Sequence, residues 1–223
     1  MTYLRQLLFV SISSIFLMHC SHSGSITQLS NQEVDEGWEL LSNDLSKWIY
    51  EPGTWALNNG VLEAQGGGDI WSKSEYGDFI LSLQFKILPK SNSGVFIRTG
   101  SIENWLHTAI EVQVFDSYGK PDPGKHDCGA IYDVLAPEKN VVKKPGEWNQ
   151  YVITCIDNKI QVNLNDEQII DMDLNRWTEA HKNPDGTKNK FNTAYKDMPR
   201  VGKIGLQYHG DPVWYRNIKV KQL

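Results

Sequence analysis

Turn-forming residues punctuate this chain often, and no long helical period runs between them. Asn59-Gly60, Gly66-Gly67-Gly68, Asn92-Ser93-Gly94, Pro121-Asp122-Pro123-Gly124, Lys144-Pro145-Gly146, Asp157-Asn158 and Asn165-Asp166 divide it into short apolar runs. Gly, Asn and Asp tolerate positive φ and Pro fixes φ at about −65°, so such clusters end strands. The runs at 55–57, 61–64, 70–72, 79–87, 94–99, 109–115, 130–134, 149–156, 159–164, 168–173, 202–208 and 213–220 read as strands. So many strands without a helical period predict an all-β, two-sheet sandwich. Asp157-Asn158 and Asn165-Asp166 each join alternating runs and predict tight hairpins. A length of 223 residues is ample for a core, and without an internal repeat one domain is the economical organisation.

The N-terminus reads differently. Arg5 is the only charge in residues 1–19, and 7–17 is an apolar and serine run too short to span a bilayer, which needs ~20 residues. Residues 1–19 are therefore expected to be a signal peptide. Leu17-Met18-His19-Cys20 resembles a loose bacterial lipobox, with Met18 and His19 bulkier than usual. Cys20 is the expected lipidation site, an ordinary secretion signal being the alternative. Small polar residues at 20–33 read as a tether, leaving 34–223 as the domain of a cell-envelope lipoprotein, periplasmic or at the surface, that meets the membrane only through its anchor. Loss of 1–19 would leave 21 basic against 27 acidic residues, which is no nucleic-acid footprint. Cys128 and Cys155 lie in apolar strand-like segments and read as free buried thiols, although an oxidising compartment would permit pairing. The polar, lysine-rich stretch 175–200 holds Trp177, Phe191 and Tyr195, so it is expected to pack as an ordered lid or rim.

The candidate chemistry starts in the strand at 109–115. Side chains alternate faces along a strand, so Ile110, Val112 and Val114 point one way and Glu111 and Gln113 the other. Glu and Gln are poor strand formers, and two in register predict a polar floor that binds something. Glu111 and Asp116 are five residues apart, ~17 Å along an extended strand and on opposite faces. A two-carboxylate glycosidase needs its pair within about 5 to 9.5 Å, so that reading has no support here. The same parity sets Gln207 and His209 against Ile204, Leu206 and Tyr208, and puts Arg98 on the face of Phe96. Alone, Arg98 reads equally as an edge arginine in a surface ion pair and His209 as a structural histidine; together with Glu111, Gln113 and Gln207 they predict one concave site. Trp214, suited to stacking on sugars, and Arg216 are further candidate substrate-binding residues; Arg216 shares its parity with Trp214 but also with Ile218, which requires a bulge or a turn of the face. No His-x-His or His-Glu-x-x-His spacing occurs; no cofactor is required, and a divalent cation is neither indicated nor barred by the dispersed Glu111, Asp116 and His209.

Several ordered motifs then point to a family. Asn92-Ser93-Gly94-Val95-Phe96-Ile97-Arg98, Glu111-Val112-Gln113-Val114-Phe115-Asp116, Gly129-Ala130-Ile131-Tyr132, Lys144-Pro145-Gly146-Glu147-Trp148-Asn149, Gly205-Leu206-Gln207-Tyr208-His209-Gly210 and Arg216-Asn217-Ile218 resemble the 3-keto-disaccharide hydrolase domain family, formerly a domain of unknown function. The resemblance implies a concanavalin-like jelly roll that cleaves glycosides already oxidised at C3 by a separate sugar 3-oxidoreductase. That chemistry needs a base, an enolate stabiliser and a proton donor: His209 is the expected base and Arg98 the expected oxyanion stabiliser, with Glu111 or Asp116 in proton delivery or sugar positioning and Gln113, Gln207 and Tyr132 as partners of substrate hydroxyls. The family often has an acidic residue where Tyr208 stands and a basic one where Trp214 stands. The rival reading is a noncatalytic carbohydrate-binding module using the same face.

Overall fold

The computed structural model describes residues 37–223; the expected signal peptide, Cys20 and the tether lie outside the described residues. Thirteen strands occur among the described residues: β1 (Trp38–Leu40), β2 (Trp48–Ile49), β3 (Trp55–Asn58), β4 (Val61–Ala64), β5 (Ile70–Tyr76), β6 (Phe79–Ile87), β7 (Asn92–Thr99), β8 (Ile110–Phe115), β9 (Asn149–Ile156), β10 (Lys159–Leu164), β11 (Glu167–Asp173), β12 (Gly202–Leu206) and β13 (Val213–Gln222). One sheet has the order β11-β10-β9-β6-β13-β4-β3, with β1 also on β13; the other runs β2-β5-β12-β7-β8. All pairings are antiparallel, giving the expected two-sheet jelly-roll sandwich.

Alternation builds the core. Leu81, Leu83 and Phe85 of β6 and Ile110, Val112 and Val114 of β8 are buried between the sheets, while Gln84 and Lys86 of β6 face outward, half-buried. Each such side chain withdrawn from water contributes about 1.5–3 kcal/mol. The two expected hairpins form: Ile156 pairs with Lys159, and Leu164 with Glu167 around Asn165 and Asp166, both at positive φ as the favoured two-residue turn requires. Cys128 and Cys155 are free, and burial pushes their thiols up to about 11 and about 12, so they stay protonated.

Residues 130–134 do not form the expected strand. Gly129 and Asp133 both adopt positive φ and turn the chain, leaving only bridges from Ile131 to Val112 and Leu135. The segment nevertheless covers the free edge of β8: the Gln113 amide donates to the Ala130 carbonyl, and the Gly129 and Tyr132 amides donate to the carbonyls of Gln113 and Glu111.

Candidate active site

The outer face of the five-stranded sheet carries the polar floor. Glu111 is 9% and Gln113 2% exposed, on the face opposite the core valines. On β7, Gly94 lies across from Gln113 and Phe96 across from Glu111. Gly94 is needed for space: a Cβ there would stand 2.5 Å from Glu111 Oε1. Just past β12, the buried Gln207 donates its amide to the Gly94 carbonyl at 2.9 Å. Gln113 Nε2 donates to Asn92 Oδ1 at 2.9 Å, and the Asn92 amide is held by Asp211 Oδ2 at 3.0 Å. Gln113 Oε1 and Gln207 Oε1 are buried without a protein donor, which leaves two acceptors open to a ligand.

Loops and a short helix raise walls around this floor and enclose about 310 Å³, a small ligand pocket. Phe96 stacks on Trp71 at 5.2 Å and meets Trp105 at 4.8 Å between ring centroids, and this apolar step supports α1 (Trp105–Thr108), from which Trp105 and Leu106 reach the cavity. Tyr132 and Lys190 form another part of the wall, the Lys190 ammonium lying 4.4 Å from the Tyr132 ring centroid and 3.2 Å from its hydroxyl. Lys190 belongs to the 175–200 stretch, which packs as the expected ordered rim with Trp177, Phe191 and Tyr195 buried. Gly68, Asp69, Tyr208 and His209 complete the lining, and the Tyr208 amide donates to Asp69 Oδ1 at 2.9 Å.

Burial dominates the electrostatics. It pushes the Glu111 carboxyl up to about 8; the nearby Lys190 opposes this and Asp69 adds to it. Asp69 is itself raised by burial, against the Tyr208 amide and the charge of His209. Among the described residues no group of three or more His, Cys, Asp and Glu side chains is placed to hold a metal ion.

Of the residues expected in the site, the structure brings Glu111, Gln113, Tyr132, Gln207 and His209 together. Arg98 is elsewhere. The pairing of β7 with β12 slips between Thr99 and Phe96, and Arg98 takes φ +51, a bulge that breaks the simple alternation. Its wholly buried guanidinium donates to the carbonyls of Gly77 (3.0 Å) and Asp157 (2.5 Å) and to Asp78 Oδ1 (3.0 Å), so it staples the β5–β6 turn to the β9–β10 hairpin. Asp116 also lies outside the cavity lining: Oδ2 accepts from the Lys90 amide and Oδ1 from the Tyr118 amide, which fixes turns. Arg216 projects from the other sheet, over the Trp148 ring at 4.0 Å, with Nε on Gln84 Oε1 at 2.7 Å; a bulge at Asn217 (φ +51) reconciles its parity with buried Ile218. Trp214 lines a separate recess. Alternation along strands gave no sign of Asp69, Asn92, Trp105 or Lys190, which sit at strand ends, in loops or, for Trp105, on the short helix. The available signals were the glycine run preceding Asp69, the Asn92-Ser93-Gly94 turn, and the aromatics that anchor the loop carrying Lys190.

Comparison with known proteins is consistent with this arrangement. A sequence profile described as a 3-keto-alpha-glucoside-1,2-lyase-like domain matches residues 37–221. A 3-keto-disaccharide hydrolase of Bacteroides thetaiotaomicron is 30% identical over 216 residues, covering 84% of this chain and 74% of the relative. A crystal structure from Parabacteroides distasonis, a glycosyl hydrolase by assignment, superposes with a TM-score of 0.78 at 38% identity, over 83% of this chain and 99% of that one. A carbohydrate-binding module of Bacillus subtilis shares the fold alone, with a TM-score of 0.51 at 15% identity over 79% of this chain and 96% of that one. Matched over nearly all of its described length, this chain belongs to the family of 3-keto-alpha-glucoside-1,2-lyase-like domains.

Proposed function

We propose that the chain cleaves glycosides already oxidised at C3, by removing the C2 proton and expelling the C1 oxygen. Membership of a glycoside-cleaving family supports the coarser part of this reading. Glu111 carries the finer part: a carboxyl set into the pocket floor and pushed up to about 8 stays protonated at neutral pH, fit to hand a proton to a leaving oxygen.

A C3 ketone acidifies the C2–H bond. His209 takes that proton, and the neighbouring Asp69 offsets the charge the imidazole gains. The bonding pair moves into C2–C3 and the C3 oxygen becomes an enolate, whose charge Lys190 balances in the role expected of Arg98. Collapse of the enolate forms C1=C2 and breaks the C1–O bond, while Glu111 protonates the departing oxygen. Water then adds across C1=C2, hydroxyl to C1 and proton to C2, completing hydrolysis; release before that addition is lyase action. Gln113 and Gln207 hold ring hydroxyls through the open acceptors, and Asn92, Trp105 and Tyr132 line the space around the ring. No cofactor enters these steps, and a separate sugar 3-oxidoreductase supplies the substrate. In this reading the enzyme works in the cell envelope, anchored through Cys20.

The test is cleavage of a 3-keto-α-glucoside in D2O followed by NMR. The expected result is release of the leaving alcohol with deuterium at C2 of the product, slowed about 10²–10⁴-fold in Glu111→Gln, with the unoxidised glycoside left intact. Cleavage of the unoxidised glycoside at a similar rate, or a product that keeps its original hydrogen at C2, overturns the mechanism; a product with C1=C2, which has no hydrogen at C2, is the lyase outcome. Sugar binding with no turnover of any 3-keto glycoside would instead identify a noncatalytic module.

A further inference from the structure

A second recess of about 450 Å³ adjoins the pocket and is lined by Glu63, Ala64, Gln65, Leu88, Tyr208, Gly210, Pro212 and Trp214. Tyr208 lines both cavities. So do the two segments that meet there. The stretch from Ala64 to Asp69 gives Ala64 and Gln65 to the recess and Gly68 and Asp69 to the pocket, while the stretch from Gln207 to Trp214 gives Gln207 and His209 to the pocket and Gly210, Pro212 and Trp214 to the recess. The hydrogen bond from the Tyr208 amide to Asp69 ties these segments together at the shared wall.

We propose that this recess is the leaving-group subsite and that it takes a second pyranose ring, stacked on Trp214. The inference rests on the function proposed above. The pocket, at about 310 Å³, is at the small end of ligand cavities, roughly 300–1,000 Å³, and the recess beside it gives a longer substrate room to extend. A disaccharide that occupies both cavities crosses Tyr208, the chain neighbour of His209, and so brings its second ring to Trp214. The recess has the mixed lining a sugar needs. Trp214, Leu88 and Pro212 offer apolar surface to the C–H faces of the ring, Leu88 being 39% exposed, and Glu63 and Gln65 offer acceptors and donors to its hydroxyls. The Trp214 ring is held in place: the Lys86 ammonium lies 4.6 Å from its centroid and 5.2 Å from that of Trp148.

The experiment compares a 3-keto disaccharide, a 3-keto phenyl glucoside and the 3-keto methyl glucoside on wild type, Trp214→Ala and Trp214→Phe. In Trp214→Ala the ratio of kcat/KM for the disaccharide to that for the methyl glucoside is expected to fall about tenfold, mainly through KM, with Trp214→Phe restoring most of it. An unchanged ratio overturns the subsite, and a drop confined to the phenyl glucoside overturns its assignment to a sugar. Calorimetric titration with the unoxidised disaccharide and methyl glucoside decides the matter without turnover. Tighter disaccharide binding that disappears in Trp214→Ala supports the subsite even if no substrate is cleaved, in which case only the elimination mechanism falls; equal binding of the two sugars overturns it.

Discussion

The carboxyl group of Glu111 rests against the bare α-carbon of Gly94, with Oε1 2.5 Å and Cδ 3.0 Å from where a Cβ would stand. Two strands thus cooperate to seat one acid, and the smallest possible side chain is part of the site. Gly94→Ala is expected to fold, since Gly94 is not among the glycines at positive φ, but to displace the Glu111 carboxyl. Misplacement on that scale costs activity about 10²-fold, so steady-state kinetics beside a thermal melt checks it: low kcat with a near-normal melt is the expected pair.

The pH profile separates the two roles open to Glu111. As a proton donor it works only while protonated, so activity should fall as pH rises through about 8. A base would give a rising limb there instead. Stability follows the same carboxyl. Its folded pKa lies above the unfolded value, so the stability present at low pH is lost as pH rises towards and through about 8. Glu111→Gln should therefore unfold at higher denaturant than wild type at pH 9 while losing activity, with the two curves converging in acid.

Lys190 acts on the same limb from across the pocket. Its charge favours ionised Glu111, so Lys190→Met should move the alkaline limb to higher pH. The same change should lower kcat by about 10²–10³-fold if the ammonium balances the enolate. A limb that stays put would show that the two groups do not sense each other.

Gln207 carries one of the open acceptors, and an acceptor buried without a donor is a cost in the empty protein. Gln207→Met should leave the melting temperature unchanged or raised, while increasing KM about tenfold, worth ~1.4 kcal/mol of substrate binding. Parallel melts and kinetics read both effects.

Arg98 makes the opposite prediction. Arg98→Met strips donors from the carbonyls of Gly77 and Asp157, at about 1–3 kcal/mol for each acceptor left bare, and should lower the denaturant midpoint clearly. Where the variant remains folded, kcat should be near wild type. A large fall in kcat without loss of stability would return Arg98 to the chemistry.

Strand periodicity made much of this legible. The strands at 61–64, 79–87, 149–156 and 159–164 lie where alternation places them, because each has one face on the core and one on solvent or a neighbour. The floor was legible for the same reason: Glu111 and Gln113 keep strict alternation with buried valines. Arg98 was misplaced because alternation assumes an unbroken pleat, and its bulge shows only in the backbone. β1 and β2 are too short to carry a period, and Lys190 reaches the pocket from a loop whose lysines look alike in sequence.

The covering of β8 by residues 129–132 has a further consequence. An open sheet edge ordinarily invites a second chain to pair with it. Here that valence is spent within the molecule, and the amide of Tyr132 is fastened to the carbonyl of Glu111 itself. Wall and floor are thereby gauged to each other through main-chain bonds, so the breadth of the pocket at this point is a property of strand spacing rather than of side-chain choice.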